Sequence, residues 1–199
     1  MESRDTSASA AKPPRSTRTL WLVLALCVAP IVASYIAYYF WRPSGHVNYG
    51  ELIEPRQLPR TAAEHLDGSA FDWPAQLKGQ WVLVAAGPSD CDEKCREKLV
   101  YMRQVRLAQG KETDRIDRVW LLTDSGTPAA ALIAAHPGLV VLRRAEPLVA
   151  ALPAPASPLD HVYVVDPLGH LMMRFPANPD PRKMLKDVTR LLRHSKWTT

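Results

Sequence analysis

From Leu20 to Trp41 the chain carries no charged side chain, and an uncharged run of 22 residues leaves few folding options. As an α-helix it spans roughly 33 Å, enough to cross the hydrocarbon core of a bilayer. Tyr35, Tyr38, Tyr39, Phe40 and Trp41 gather at its end, where aromatic rings suit a membrane interface. The run is too long for the apolar core of a cleaved signal peptide, and Pro30 inside it reads as a tolerated kink. Cys27 follows Leu26 rather than the small residue of a lipoprotein processing site, so it reads as a lipid-facing or packing cysteine. The expectation is an uncleaved anchor over 19–41, preceded by a disordered tail over 1–18 rich in Ser, Ala, Thr and Pro.

Arg4, Lys12, Arg15 and Arg18 precede the span, whereas Arg42, Arg56 and Arg60 are the basic residues that follow closely. That bias keeps the tail in the cytoplasm and sends the rest of the chain outside, into a periplasm-like compartment. After a linker over 42–48, residues 49–199 have the length of one compact domain, about 150 residues. The net charge of +5 is spread along the chain rather than blocked. No basic stripe calls for nucleic acid, and a solvated basic surface near anionic lipid is the simpler account.

Within that domain Trp81-Val-Leu-Val-Ala-Ala86 is apolar throughout and is bounded by Gly79 and Gly87-Pro88, the pattern of a strand buried on both faces. The segment from Cys91 to about Gln109 repeats Cys95, Leu99, Met102 and Val105 at helical spacing and is expected to pack on it. Asp90 suits the N-cap of that helix. Arg118 to Thr123 reads as a second buried strand, Ala129 to Ala135 as a short helix, and Leu139 to Leu142 as a third strand. Pro147 to Pro158 is too rich in proline for a long regular element. His161 to Asp166, the turn Pro167-Leu168-Gly169-His170, and Leu171 to Phe175 form a hairpin signature. Asp180-Pro181 starts a terminal helix with Met184, Leu185, Val188, Leu191 and Leu192 as its apolar stripe. The order of elements is that of an α/β domain with a thioredoxin-like fold, preceded by a single N-terminal transmembrane helix.

Cys91 and Cys95 are the only cysteines outside the span. Four positions apart near a helix start, they are expected to project from one helix face with a Cα separation of roughly 6 Å, which a disulfide can bridge and one thiophilic metal can share. Redox exchange and metal binding both stay open. The helix N-terminus lowers a thiol pKa, Asp90, Asp92 and Glu93 oppose it, and Lys94 and Arg96 partly offset those carboxylates. No Gly-rich phosphate loop and no Gly-x-Ser-x-Gly elbow is present, so phosphoryl transfer and serine hydrolysis have no support.

Leu77-Lys-Gly-Gln-Trp81 with the strand after it, Cys91-Asp-Glu-Lys-Cys95, and Asp160-His161 before a strand that continues to Asp166-Pro-Leu-Gly169 resemble the Sco/SenC family. The family's members are membrane-anchored thioredoxin-like proteins that help deliver copper to cytochrome c oxidase. Asp92 and Arg96 stand where the family has prolines, so the chain resembles a divergent member. The resemblance implies copper as the metal, Cys91, Cys95 and His161 as its ligands, and a metallochaperone rather than an enzyme. It also implies a partner that is the copper-bearing subunit of a respiratory oxidase or another copper assembly factor. The place implied is the bacterial inner membrane, single-pass, with the C-terminal domain in the periplasm. His46, His65, His136, His170 and His194 have no such support. Two other functions are weighed: a membrane-anchored thiol-disulfide oxidoreductase that uses Cys91 and Cys95 on a partner's cysteines, and a non-catalytic thioredoxin-like assembly scaffold.

Overall fold

Residues Trp81–Gly87 have no solvent face, and the fold is built around them. The structure is a computed structural model that describes residues 17–40, 48–73 and 75–195. Residues 1–16 of the expected tail over 1–18 and residues 42–47 of the expected linker over 42–48 lie outside the described residues, as does Trp41. The chain divides into two compact units, Met1–His46 and Val47–Thr199. In the first, α1 (Thr17–Phe40) takes in Thr17 and Arg18, which the sequence assigned to the tail, and buries none of its residues. It is long and apolar enough to cross a membrane.

The second unit holds an eight-stranded sheet among the described residues, ordered β1-β8-β7-β4-β5-β6-β2-β3. Its elements are β1 (Glu51–Gln57), β2 (Thr61–His65), β3 (Ala70–Trp73), β4 (Trp81–Gly87), α2 (Glu93–Leu107), β5 (Ile116–Leu122), α3 (Ala130–Ala134), β6 (Leu139–Arg143), α4 (Glu146–Ala150), β7 (Val162–Val165), β8 (His170–Arg174) and α5 (Pro181–His194). The strands β4, β5 and β6 run parallel, and β7 returns antiparallel on the other side of β4 with Ala85 opposite Val162. The thioredoxin-like order expected from β4 onward is therefore present.

Strand alternation splits β4 between two cores. Trp81, Leu83 and Ala85 pack with Leu99, Met102 and Val105 of α2 and with Met184, Val188 and Leu192 of α5. Val82, Val84 and Ala86 pack with Phe71, Trp73, Leu148 and Tyr163. The sequence pattern did not announce what covers this second face. Gln57 and Thr61 are four residues apart, a reach of at most about 14 Å, yet a flat sheet would separate β1 from β2 by six strand spacings, roughly 29 Å. The sheet cannot be flat there. Accordingly β2 meets β6 only at Glu64 and His65, and the β2–β3 hairpin crosses the second face to bury Ala63, Phe71 and Trp73.

The first and last parts of this unit are fastened together. Asp187 of α5 is buried, and its Oδ2 accepts from the amides of Tyr49 and Gly50 at 2.8 Å each. Asp180 caps α5 as expected, accepting from Arg182 and Lys183.

Candidate functional site

The C-terminal end of β4 feeds through Pro88, Ser89 and Asp90 into α2, and the helix begins two residues later than the sequence suggested. Asp92, not Asp90, is the N-cap, with its Oδ1 accepting from the Cys95 amide at 2.8 Å. Cys91 and Cys95 therefore do not share a helix face, because Cys91 stands outside the helix. Disulfide chemistry explains the difference. Residues four apart within a helix hold their Cβ atoms about 5–6 Å apart, whereas a disulfide needs about 3.5–4.5 Å. With Cys91 released from the helix, the two sulfurs are bonded at a Cα separation of 5.3 Å.

Both cysteines are buried and belong to the core cluster of the α2 face. Gly87 lies beneath them: a Cβ built there would stand 3.6 Å from Cys95 Sγ and 3.5 Å from Trp120 Nε1. The loop that carries Cys91 is tied to the end of β5 by Asp124. Its carboxylate accepts from the Ser89 amide at 3.0 and 3.2 Å and from the Gly126 amide at 3.1 Å. Desolvation acts to raise the pKa of Asp124, but the hydrogen bonds from Ser89 and Gly126 outweigh it and hold the carboxyl below its ordinary value. Gly126 is required by the close approach, since a Cβ there would fall 2.0 Å from Ser89 Oγ.

His161 lies at the same end of the sheet, just before β7, and is 8% exposed. Its Nδ1 is 2.7 Å from the Phe175 carbonyl oxygen. A carbonyl can only accept, so Nδ1 carries the proton and the lone pair of the neutral ring is on Nε2. The ring stands edge-on to Tyr163, 6.1 Å between centroids. Tyr163 belongs to the second core, whereas Val162 and Val164 pack with the cysteines in the first. Among the described residues no group of three or more His, Cys, Asp and Glu side chains is arranged to hold a metal ion. Cys91 and Cys95 are thus brought together, and His161 is set at the same end without closing a three-ligand cluster with them.

Lys98, which the sequence reading did not single out, connects the two. It stands three residues after Cys95 on α2, is 7% exposed, and its Nζ donates to the carbonyl of Leu159, two residues before His161. Burial lowers its pKa, and Asp160 and Asp92 oppose that shift. A signal for it existed: Lys98 occupies the apolar stripe of α2, between Cys95 and Met102, where a solvated lysine has no place. The remaining described histidines have other surroundings. His65 stacks edge-on against Phe71, His136 is buried, His170 lies 3.2 Å from Asp166 Oδ2, and His194 is exposed at the end of α5.

A family model described as transmembrane-like, thioredoxin-like, C-terminal domain matches residues 81–195, from the first residue of β4 through α5. The chain belongs to this family. No curated protein matches it in sequence. In fold this transmembrane-like, thioredoxin-like domain is similar to Bradyrhizobium japonicum ScoI with copper bound, at 20% identity and a TM-score of 0.54 over 68% of this chain and 99% of that one. It is similar to yeast Sco1 with copper bound, at 15% identity and a TM-score of 0.59 over 71% of this chain and 96% of that one. A thiol:disulfide interchange protein from Bacteroides sp. is comparably similar, at 18% identity and a TM-score of 0.55 over 73% of this chain and 94% of that one. The Sco/SenC resemblance read in the sequence holds at the level of the fold, which the chain shares equally with the thiol:disulfide interchange protein.

Proposed function

We propose that this chain is a membrane-anchored, Sco-like copper carrier that serves the assembly of a respiratory cytochrome c oxidase, with copper as its cargo. The observation that carries the reading is the bonding of Cys91 to Cys95 at the C-terminal end of the central strand, in a domain whose fold is shared with copper-bound Sco proteins. Exchange with a partner's dithiol supplies the two electrons and two protons that convert that disulfide to two thiols, and leaves the partner's pair as a disulfide. Two thiols so close, once deprotonated, suit Cu(I), a soft ion that favours thiolate. His161 is the candidate third ligand: the Phe175 carbonyl holds the Nδ1 proton and leaves Nε2 to donate. Release follows by exchange of these ligands for those of an acceptor, the copper-bearing subunit of the oxidase or another assembly factor.

In the same reading α1 (Thr17–Phe40) forms the anchor that the sequence placed over 19–41, in a bacterial inner membrane with residues 49–199 in the periplasm. Arg4, Lys12, Arg15 and Arg18 before the span support that orientation. The closed disulfide and the separate station of His161 favour a second reading, thiol-disulfide exchange with a partner's cysteines and no metal.

Titration of the reduced full chain in detergent with Cu(I), against a competing chelator, separates them. Copper carriage predicts one equivalent retained, none in Cys91→Ala, and an affinity at least about tenfold lower in His161→Ala, in line with loss of one ligand. A chain that keeps no copper yet exchanges readily with a dithiol removes the copper reading and leaves the second.

A further inference from the structure

Three connections of the second unit enclose a cavity of about 360 Å³ at the Trp81 end of β4, away from the sulfurs. They are the link from β1 to β2 with Leu58 and Arg60, the link from β3 to β4 through the 3₁₀ turn Ala75–Leu77, and the β7–β8 turn. The volume is that of about a dozen water-sized groups at roughly 30 Å³ each, in the lower part of the range that small-molecule sites occupy. Main-chain atoms join two of these walls, for the Gly79 amide donates to the Pro167 carbonyl at 3.0 Å. Asp166 fixes the β7–β8 turn, its Oδ1 accepting from the Leu168 and His170 amides at 2.9 and 2.8 Å.

A crevice beneath a crossing hairpin ordinarily holds water. Two observations argue for a different occupant. Leu58, Trp73, Leu77, Val82 and Val165 line the cavity and are all buried, and water against such an apolar wall forfeits hydrogen bonds. One of these wall residues also carries an unused donor: Trp73 Nε1 is buried with no acceptor among the described residues, whereas a buried indole N–H usually has one.

The polar groups of the wall decide the class of ligand. Arg60 and Lys78 line the cavity from exposed positions, and neither side chain has an ion pair or hydrogen bond among the described residues. Of the two acidic residues in the wall, Asp166 is committed to its own turn, which leaves Asp72. Two available cations against one available carboxylate favour an anion. They favour a single negative charge, because a second would face Asp72.

We propose that this cavity binds a small amphipathic monoanion, an apolar or aromatic body with one carboxylate. The body packs against Trp73, Leu77 and Val165, and the carboxylate meets Arg60 and Lys78. The site uses no cysteine and no metal, so it stands apart from the copper reading.

The test follows para-trifluoromethylbenzoate by fluorine NMR with the full chain in phosphatidylcholine nanodiscs, after subtraction of the signal from empty discs. Saturable binding is expected with a dissociation constant of about 1 mM or tighter, the range of a probe this small. The neutral para-trifluoromethylbenzyl alcohol is expected to bind about tenfold more weakly, as loss of a charge-assisted hydrogen bond requires. Arg60→Ala/Lys78→Ala should lower the affinity for the benzoate to that for the alcohol. Ala75→Trp, which fills the cavity from an exposed wall position, should abolish binding of both. All three positions are exposed, so these variants keep the fold. Equal affinities for acid and alcohol overturn the assignment of an anion. Binding that survives Ala75→Trp puts the probe elsewhere and overturns the site, and absence of saturable binding to the full chain overturns the proposal as a whole.

Discussion

At the Gly87 end of β4 the protein sets a bonded pair of sulfurs, a carboxylate clamp and a buried ammonium. At the Trp81 end it sets a cavity of about 360 Å³ lined by Leu58, Trp73, Leu77, Val82 and Val165, with Arg60, Asp72, Lys78 and Asp166 around it. Among the described residues its wall has no cysteine or histidine. Concavity normally marks a ligand site, and the proposed chemistry lies away from it. The cavity is the space left where the β2–β3 hairpin crosses the second face. Under the proposed function the disulfide or a thiol-bound ion reacts with a group presented by another protein, which calls for fixed loops rather than a deep pocket. In open α/β sheets such sites lie beyond the carboxyl ends of the strands, and here that is the end where β4 lies between parallel β5 and antiparallel β7.

If the two ends are independent, damage to the cavity end lowers stability and leaves thiol chemistry alone. Trp73 is 1% exposed and fills the second core. Trp73→Ala is expected to lower unfolding stability by about 3–5 kcal/mol, measured in urea, with the thiol-disulfide midpoint potential unchanged. A shifted potential in a folded Trp73→Ala protein would show that the second core supports the cysteine loop, and the comparison would fail.

The converse change is smaller. Reducing Cys91–Cys95 opens a loop closed across a sequence separation of only 4, so the entropic contribution is modest. The expected loss is about 2 kcal/mol, from paired urea titrations with and without dithiothreitol. The double variant Cys91→Ala/Cys95→Ala should unfold identically under both conditions. Sensitivity to reductant in that variant would assign the effect to something other than this bond.

The contrast between the ends also governs what could be read from residues alone. β4, β5, the β7–β8 hairpin and α5 were legible because two-sided burial writes continuous apolar runs and a packed helix writes a stripe. β1 was not: Glu-Leu-Ile-Glu-Pro-Arg-Gln is nearly all exposed at a sheet edge, with Pro55 in an irregular stretch of its register, so no alternation survives. β2 and β3 bury only Ala63, Phe71 and Trp73, too few for a period to show. At the site, the pairing of Cys91 with Cys95 was legible from spacing. The helix start was not, because Asp90 and Asp92 are equally good caps and only closure of the disulfide distinguishes them. The place of His161 could be read to the end of a strand but not to a face, since the face depends on how the chain leaves the turn over Pro158–Asp160.

The smallest effect sharpens the comparison through its two buried cations. Lys98, at the sulfur end, is bonded to Leu159; Arg118 starts nearer the Trp81 end, opposite Leu83 in the sheet, and donates to the Pro137 carbonyl while its Nε and Nη1 find no partner. Burial lowers both, Arg118 to about 10 with Arg106 and Arg103 adding to the shift. Below a lowered native pKa both folded and unfolded chains hold the proton, and the cost of burying the charge is fully present. Above it the native chain releases its proton first, so the unfolded chain holds more protons and stability rises with pH until the unfolded value is passed. For Lys98 that window ends near the ordinary lysine value of 10.5; for Arg118 it opens at about 10 and continues to higher pH. Lys98→Met should therefore flatten the rise in unfolding stability on the approach to pH 10.5 and leave the rise above it, measured by urea titration at closely spaced pH values. An unchanged slope below pH 10.5 would mean that the Lys98 ammonium is not held out of water between α2 and the His161 segment.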